Sequence, residues 1–278
     1  MTPAFRIKSL HRDAPMSNAR RTIPLLLTIA SLVVSPAGAC PDEPAVKDAT
    51  QKETAIVAPT PPADLPPGTP IYRTLARREA QVTFTSEAPV ERIVGKSNGV
   101  LGYAVPGPAD APARLSSAAW ILPVNSFATG IPLRDEHMIG SAWLDATRYP
   151  AIRFTLERVD DLSLVKRGDG FSTWSGTLVG LLAMHGVERE LRVTDAKLSF
   201  LAASDRTAAI AQGDLLFIKC DYTIKLSDFG IVHDDVPKKV ADEVRLSQIV
   251  RMSTSADAPR DGKETSQGGS DKAAAPAK

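Results

Sequence analysis

From about residue 71 onward, apolar and polar residues alternate in short runs, the period-two pattern of an extended strand with one face buried. Val82 and Phe84 alternate with Thr83 and Thr85. Trp120, Leu122 and Val124 share one face of a run over 117–127, and Ile152, Phe154 and Leu156 follow Pro150. Lys166-Arg167-Gly168-Asp169-Gly170 reads as a hairpin turn. Beyond it, the run 171–183 puts Trp174, Leu178 and Leu182 on one face, with Gly176 and Gly180 on that face marking bends. Further alternations at 100–105, 191–200, 215–226 and 244–252 bring the expected strands to about eight. The pattern predicts an all-β fold, and eight antiparallel strands can close into a barrel that leaves no edge unpaired. Residues 129–150 break the rhythm. Met138 and Trp143 fall near helical spacing from Leu133, Arg134 and Ile139, which predicts a short helix in the segment after residue 129.

The chain before residue 71 has a different character. Arg20 and Arg21 precede the apolar run 23–34, which ends in Ala37-Gly38-Ala39-Cys40, so residues 1–39 read as a cleaved secretion signal. The run is shorter than the roughly 20 residues a membrane-crossing helix needs. Thr22, Ile23 and Pro24 lack the remainder of a twin-arginine motif, which favours general secretion. Met16 is an alternative start that gives a signal of more usual length. Two readings of Cys40 stand: acylation of its thiol as a lipoprotein anchor to a membrane, or ordinary cleavage after Ala39. Residues 40–70 hold eight of the chain's 22 prolines and few long apolar side chains, so they are expected to form a disordered tether. The folded domain is then 71–254, and the Ala-, Lys-, Asp-, Gly- and Ser-rich stretch 255–278 reads as a disordered tail.

Charge names no partner. The 33 basic and 32 acidic residues leave a net charge of +1, so no summed field draws nucleic acid. Cys40 and Cys220 are the only cysteines and are not expected to pair, because Cys220 sits in a strand-like run as a small apolar filler. A barrel of eight strands is either filled by its own side chains or just wide enough for one small ligand. The aromatic share of 5%, together with Gly99, Gly102, Gly176 and Gly180 in or beside strands, favours a cavity.

Four short elements occur in order over about 100 residues. They are Arg134-Asp135-Glu136-His137-Met138; Asp145 through Tyr149-Pro150 to Ile152-Arg153-Phe154; Leu182-Ala183-Met184-His185-Gly186-Val187; and Asp228-Phe229-Gly230-Ile231. Together they resemble the YceI-like, polyisoprenoid-binding family, and the resemblance extends weakly over about 82–252. It implies a lipocalin-like antiparallel barrel in the periplasm. Such a barrel has an apolar tunnel for a polyprenyl chain, a quinone-like lipid or a fatty acyl amide, with no settled enzymatic activity and no cofactor beyond that ligand. The segment 75–80, with Arg77, Arg78 and Glu79, departs from the family's usual first strand, so the opening edge of the barrel is expected to differ. Homodimerisation is left open.

Each polar candidate has a functional and an architectural reading. His137, with Glu136 or Asp145 as its carboxylate partner, fits a general base or metal ligand. The favoured alternative has Arg134 and Asp135 pairing with strand-end backbone or with each other, locking the helix over the barrel. His137, His185 and His233 lie about 48 residues apart, outside the short intervals of zinc motifs, so no metal site is expected. His185 reads as a turn residue and His233 as part of a solvated loop. Trp143 is the preferred tunnel-mouth residue, and Phe154, Trp174, Leu178, Tyr222 and Phe229 are the other expected lipid contacts; Trp120 fits a tunnel wall or the core equally. Three functional classes follow. The favoured one is a lipid-binding barrel, followed by a tethered interaction module with a filled barrel and a His137-dependent metalloenzyme.

Overall fold

The computed structural model describes residues 56–76 and 79–255. The expected leader 1–39, Cys40, the first part of the expected tether, Arg77, Arg78 and residues 256–278 of the expected tail lie outside the described residues. Ten strands form one antiparallel sheet: β1 (Tyr72–Thr74), β2 (Val82–Glu87), β3 (Arg92–Ser97), β4 (Leu101–Val105), β5 (Ser117–Pro123), β6 (Ala151–Gly168), β7 (Phe171–Met184), β8 (Val187–Leu201), β9 (Leu215–Lys225) and β10 (Glu243–Ser253). Two helices join them, α1 (Pro132–Ile139) and the single turn α2 (Asp205–Ala208).

Eight of these strands close a ring, because β1 pairs with β4 on one side and with β10 on the other. The eight of the ring are not the eight anticipated. Three-residue β1 is too short to show a period, and β3 carries Arg92, Gly95 and Lys96 in its six residues; neither was expected from the pattern. Both β1 and β2 lie along β10, at opposite ends of it: Arg73 and Thr74 face Ser253 and Met252, whereas 82–86 face 244–248. The departure at 75–80 is therefore an excursion between two successive partners of one strand. Buried Gln81 stitches it down, with its side-chain amide donating to Leu75 O at 2.8 Å and its backbone N–H to Ser97 O at 2.8 Å.

β6, β7 and β8 run 18, 14 and 15 residues, longer than their apolar patterns indicate. The hairpin turn shrinks to Asp169-Gly170, and Lys166 to Gly168 belong to β6. Bulges at Leu156/Arg158, Asp160/Ser163 and Leu164/Lys166 interrupt the β6–β7 ladder, and Gly176/Leu178 interrupts β7–β8, coiling these long strands around the barrel.

The interior is solid at one end. Around the β6–β7 turn, the β9 start and the β10 end, Leu198, Leu215, Leu216 and Met252 are fully buried, and Tyr72 meets Phe200 edge-on at 5.7 Å. At the opposite end three connections gather: 124–150 with α1, the turn His185–Gly186, and 226–242. There the wall is completed by the β2–β3 hairpin, and β3 reaches the next segment through one bridge, Lys96 with Ala128. Filled and hollow interiors, posed above as alternatives, occupy the two halves of one barrel.

Candidate functional site

The hollow half holds two chambers. The inner one, about 90 Å³, is walled by Trp120, Phe154, Leu178, Leu182, Ile218, Cys220, Tyr222 and Gln248 among others. The outer one, about 370 Å³, lies beneath α1 and the 226–242 connection. Phe127, Ile152, Met184, Ile224 and Leu246 belong to the walls of both and form the waist between them. The glycines do not make this space. A Cβ on Gly102 would sit 2.7 Å from Trp120 Cδ1, and one on Gly180 would sit 2.8 Å from Phe154 Cζ, so neighbouring aromatic rings already occupy both positions. A Cβ on Gly99 would sit 2.8 Å from Ser126. Trp120 and Phe154 stack with centroids 6.0 Å apart, forming one aromatic wall of the inner chamber.

Around the mouth, separate connections are clasped together. Pro132 opens α1 at its first turn, where a missing N–H costs nothing. Asp135 accepts from the Thr129 backbone N–H at 2.8 Å and the Thr129 hydroxyl at 2.6 Å, fixing the approach to the helix. Arg134 pairs with Glu91 in the β2–β3 turn, and Val90 N–H of that turn donates to Lys238 O at 3.2 Å. Trp143 stacks on His233 at 4.4 Å, joining the segment after α1 to the 226–242 connection. Asp242 holds the two ends of that connection together, accepting from Ser227 N–H and hydroxyl, each at 2.8 Å. Its hydrogen bond to Lys239 holds the Asp235 carboxyl below the ordinary carboxylate range.

The expected site residues divide into three groups. Trp143, Arg134 and His137 line the outer chamber, and Phe154, Leu178 and Tyr222 line the inner one. Asp135 is a clasp. Arg134 and Asp135 do not pair with each other: each bonds a different connection. Two lipid contacts need correction. Trp174 lies in neither chamber, because it projects toward the filled end; it is 7% exposed, its indole N–H donates to Ser172 Oγ at 3.1 Å and Arg167 covers its ring at 5.6 Å. Phe229 is likewise buried outside both chambers, and its carbonyl meets His185 Nδ1 at 3.1 Å.

His185 does occupy a turn, at φ 52°, edge-on to Tyr149 at 4.8 Å. His233 is not merely solvated, since its ring carries the Trp143 stack and its Nδ1 accepts from Asp235 N–H at 3.1 Å. The three histidines therefore have separate neighbours, and no group of three or more potential metal ligands occurs among the described residues.

Sequence reasoning missed Gln248. It shares the inward face of β10 with Leu246 and Val250, and a glutamine at an apolar-face position was the readable signal. Its Nε2 donates to the Tyr222 hydroxyl at 2.5 Å. The remaining outer-chamber wall includes Phe84, Ile93, Met138, Leu144, Ile231 and Val240, drawn from elements whose meeting depends on closure. Burial and then neighbouring Asp221 push the Cys220 thiol up to about 12, so it is a neutral wall group and not a nucleophile.

Fold and site together define a closed antiparallel β-barrel, plugged at one end, with an apolar two-chambered interior under a helix-bearing cap. The YceI-like domain model matches residues 74–251, more than half of the chain, and the chain belongs to the YceI-like family. No curated protein matches the chain. Similar solved structures include Burkholderia cenocepacia BcnA, 20% identical, with a TM-score of 0.45 and coverage of 62% of this chain and 95% of that one. The Campylobacter jejuni YCEI protein is 18% identical, with a TM-score of 0.46 over 59% of this chain and 86% of its own. A polyisoprenoid binding domain from Saccharophagus degradans, implicated in plant cell wall breakdown, is 13% identical, with a TM-score of 0.44 over 66% and 98%.

Proposed function

We propose that this protein binds one long apolar molecule, of the polyisoprenoid, quinone-like or fatty acyl amide type, in the open half of its barrel. The observation that carries the reading is the outer chamber. At about 370 Å³ it falls within the range of ligand pockets, roughly 300–1,000 Å³, and its deeper wall is apolar while its few charged groups stand at the rim. Removing an apolar chain from water contributes about 25 cal/mol per Å² buried, and a mostly preformed chamber keeps the ordering cost low. Membership of the YceI-like family supports the same class of ligand.

The signal-like residues 1–39 and Cys40 support a place in the cell envelope, with the Pro-rich segment as a spacer from a membrane. Metabolic labelling with palmitate tests the anchor: label carried by the full chain and lost in Cys40→Ser is the expected result, and label absent from both removes the anchor. For the ligand, the protein is purified without detergent and an organic extract is examined by mass spectrometry. A stoichiometric long-chain lipid is expected. An empty extract, with no uptake of offered lipids, refutes the reading and leaves the tethered interaction module in its place.

A further inference from the structure

The inner chamber is smaller than the outer one and more polar than its position requires. At about 90 Å³ it is smaller than an engineered apolar cavity of about 150 Å³ that takes up benzene, so it admits a small terminal group and not a further length of chain. A site for chain alone would be lined by aliphatic residues, because each buried polar group without a partner costs free energy. Three polar groups nevertheless stand in this wall.

The Trp120 indole N–H is buried without a hydrogen-bond partner. The Tyr222 hydroxyl accepts from Gln248 Nε2 at 2.5 Å, which leaves its own proton to donate. Gln248 Oε1 has only the Cys220 thiol, 4.0 Å away, as a weak donor. In the eight-strand ring, β5 and β9 are four strands apart in either direction, so Trp120 and Tyr222 project from opposite walls. No charged side chain lines this chamber. An ionised carboxylate or phosphate there would lose its water without gaining a counter-charge. Burial also lifts the Tyr222 phenol above its ordinary range and keeps it a neutral donor.

We propose that Trp120, Tyr222 and Gln248 form a subsite for the uncharged, hydrogen-bond-accepting end of the ligand, a carbonyl of amide or ester type. The ligand enters polar end first, and its apolar chain runs back through the waist into the outer chamber. This rests on the lipid-binding reading and adds the chemistry and direction of what is bound. It also accounts for the mouth. Ile131 and Leu133 on the outer-chamber wall are 47% and 62% exposed and offer the trailing chain an apolar path out between the charged groups of the rim.

The test uses the delipidated full chain loaded with the neutral dye N-phenyl-1-naphthylamine, displaced in parallel by dodecanamide and by dodecane. The amide should compete about tenfold better than the hydrocarbon, the size of one well-made buried hydrogen bond. In the Tyr222→Phe/Gln248→Leu double variant, which leaves Trp120 as the one remaining donor, that advantage should shrink to about threefold or less while the dodecane affinity stays within about twofold. A second measurement needs no variant. Methyl dodecanoate labelled with ¹³C at its carbonyl, bound to the wild-type chain, should show an infrared carbonyl band shifted down by hydrogen bonding and insensitive to exchange into D₂O.

Equal competition by amide and hydrocarbon in the wild type overturns the subsite while lipid binding stands. So does a carbonyl band at its hydrocarbon-solvent frequency, or one that responds to D₂O. A chain that takes up neither dye nor either competitor overturns the lipid-binding reading and this inference with it.

Discussion

Gly180→Ala adds one methyl group where the barrel has no room for it. The new Cβ would overlap the Thr155 carbonyl oxygen and lie 2.8 Å from Phe154 Cζ and 3.0 Å from Leu156 Cα. Two of these three are backbone atoms of β6, which is paired with β7 at this point, so relief requires the strands to part. Overpacking of this kind costs about 1–3 kcal/mol. Against it, alanine restricts the unfolded chain and returns about 0.4–1 kcal/mol, since Gly180 has no positive φ to lose. With two backbone atoms in the way the cost falls at its upper end, about 3 kcal/mol, so the net expectation is a loss of about 2 kcal/mol, or roughly 4–8 °C in Tm for a domain of this size.

Urea unfolding followed by circular dichroism, fitted at constant slope, provides the value. Gly176→Ala is the control. Its nearest neighbours, Val159 Cγ1, Asp160 O and Leu162 Cδ1, lie at 3.1–3.3 Å and need give by only a few tenths of an ångström, so the loss should stay under about 1 kcal/mol. If Gly180→Ala proves neutral or stabilising, the idea that this glycine marks close packing of strand and ring is wrong, and the position would have to be open space.

Three other expectations concern stability. At the filled end, Leu198→Ala removes a side chain with no solvent exposure and should cost about 2–5 kcal/mol by urea unfolding; a cost under 1 kcal/mol would contradict a plugged barrel. At the mouth, Glu91→Gln breaks the ion pair with half-exposed Arg134 and should change stability by no more than about 1 kcal/mol, whereas a larger loss would mean that the clasp holds the barrel itself closed. Alkaline pH should destabilise the protein. Burial chiefly raises the Cys220 thiol from 9.0 to about 12 and the Tyr72 phenol from 10.0 to about 12, so on raising the pH the unfolded chain releases these protons first. Stability is then full below about pH 9 and falls toward pH 12, and Cys220→Ala should flatten the start of that fall in urea midpoints; a profile unchanged up to about pH 11 would contradict the burial of these groups.

Much of the architecture was legible along the chain because a half-buried strand carries its environment in every second residue. Trp120 with Leu122, Ile152 with Phe154, and Leu178 with Leu182 all announced shared faces, and inward they point. The segment after residue 129 announced a short helix by a change of period, and α1 lies within it. The four short motifs identified the family, since their spacing needs no fold to be recognised. Where a strand was too short or too polar to show a period, as at Tyr72–Thr74 and Arg92–Ser97, the pattern was silent, and the pairing with β10, β4 and β2 decided the matter.

The site was less legible, for a reason that alternation makes plain. Period two says that a side chain points inward but not at what height along the barrel. Trp174 and Leu178 share a face of β7, yet one packs into the plug and the other lines a chamber, a difference set by register across β6 and β8 and by the bulge beside Gly176. Glycines read as empty volume proved to be places where Trp120 and Phe154 come close. Arg134 could be named as a clasp, but its partner Glu91, 43 positions earlier, is brought to it only by closure. The sequence by itself determined the class of fold, the family and the faces of the strands, because those are encoded in neighbouring residues. Tertiary structure alone decided which end is hollow, where the chambers narrow, and that Trp120, Tyr222 and Gln248 meet around one of them, because these depend on distances between residues far apart in the chain.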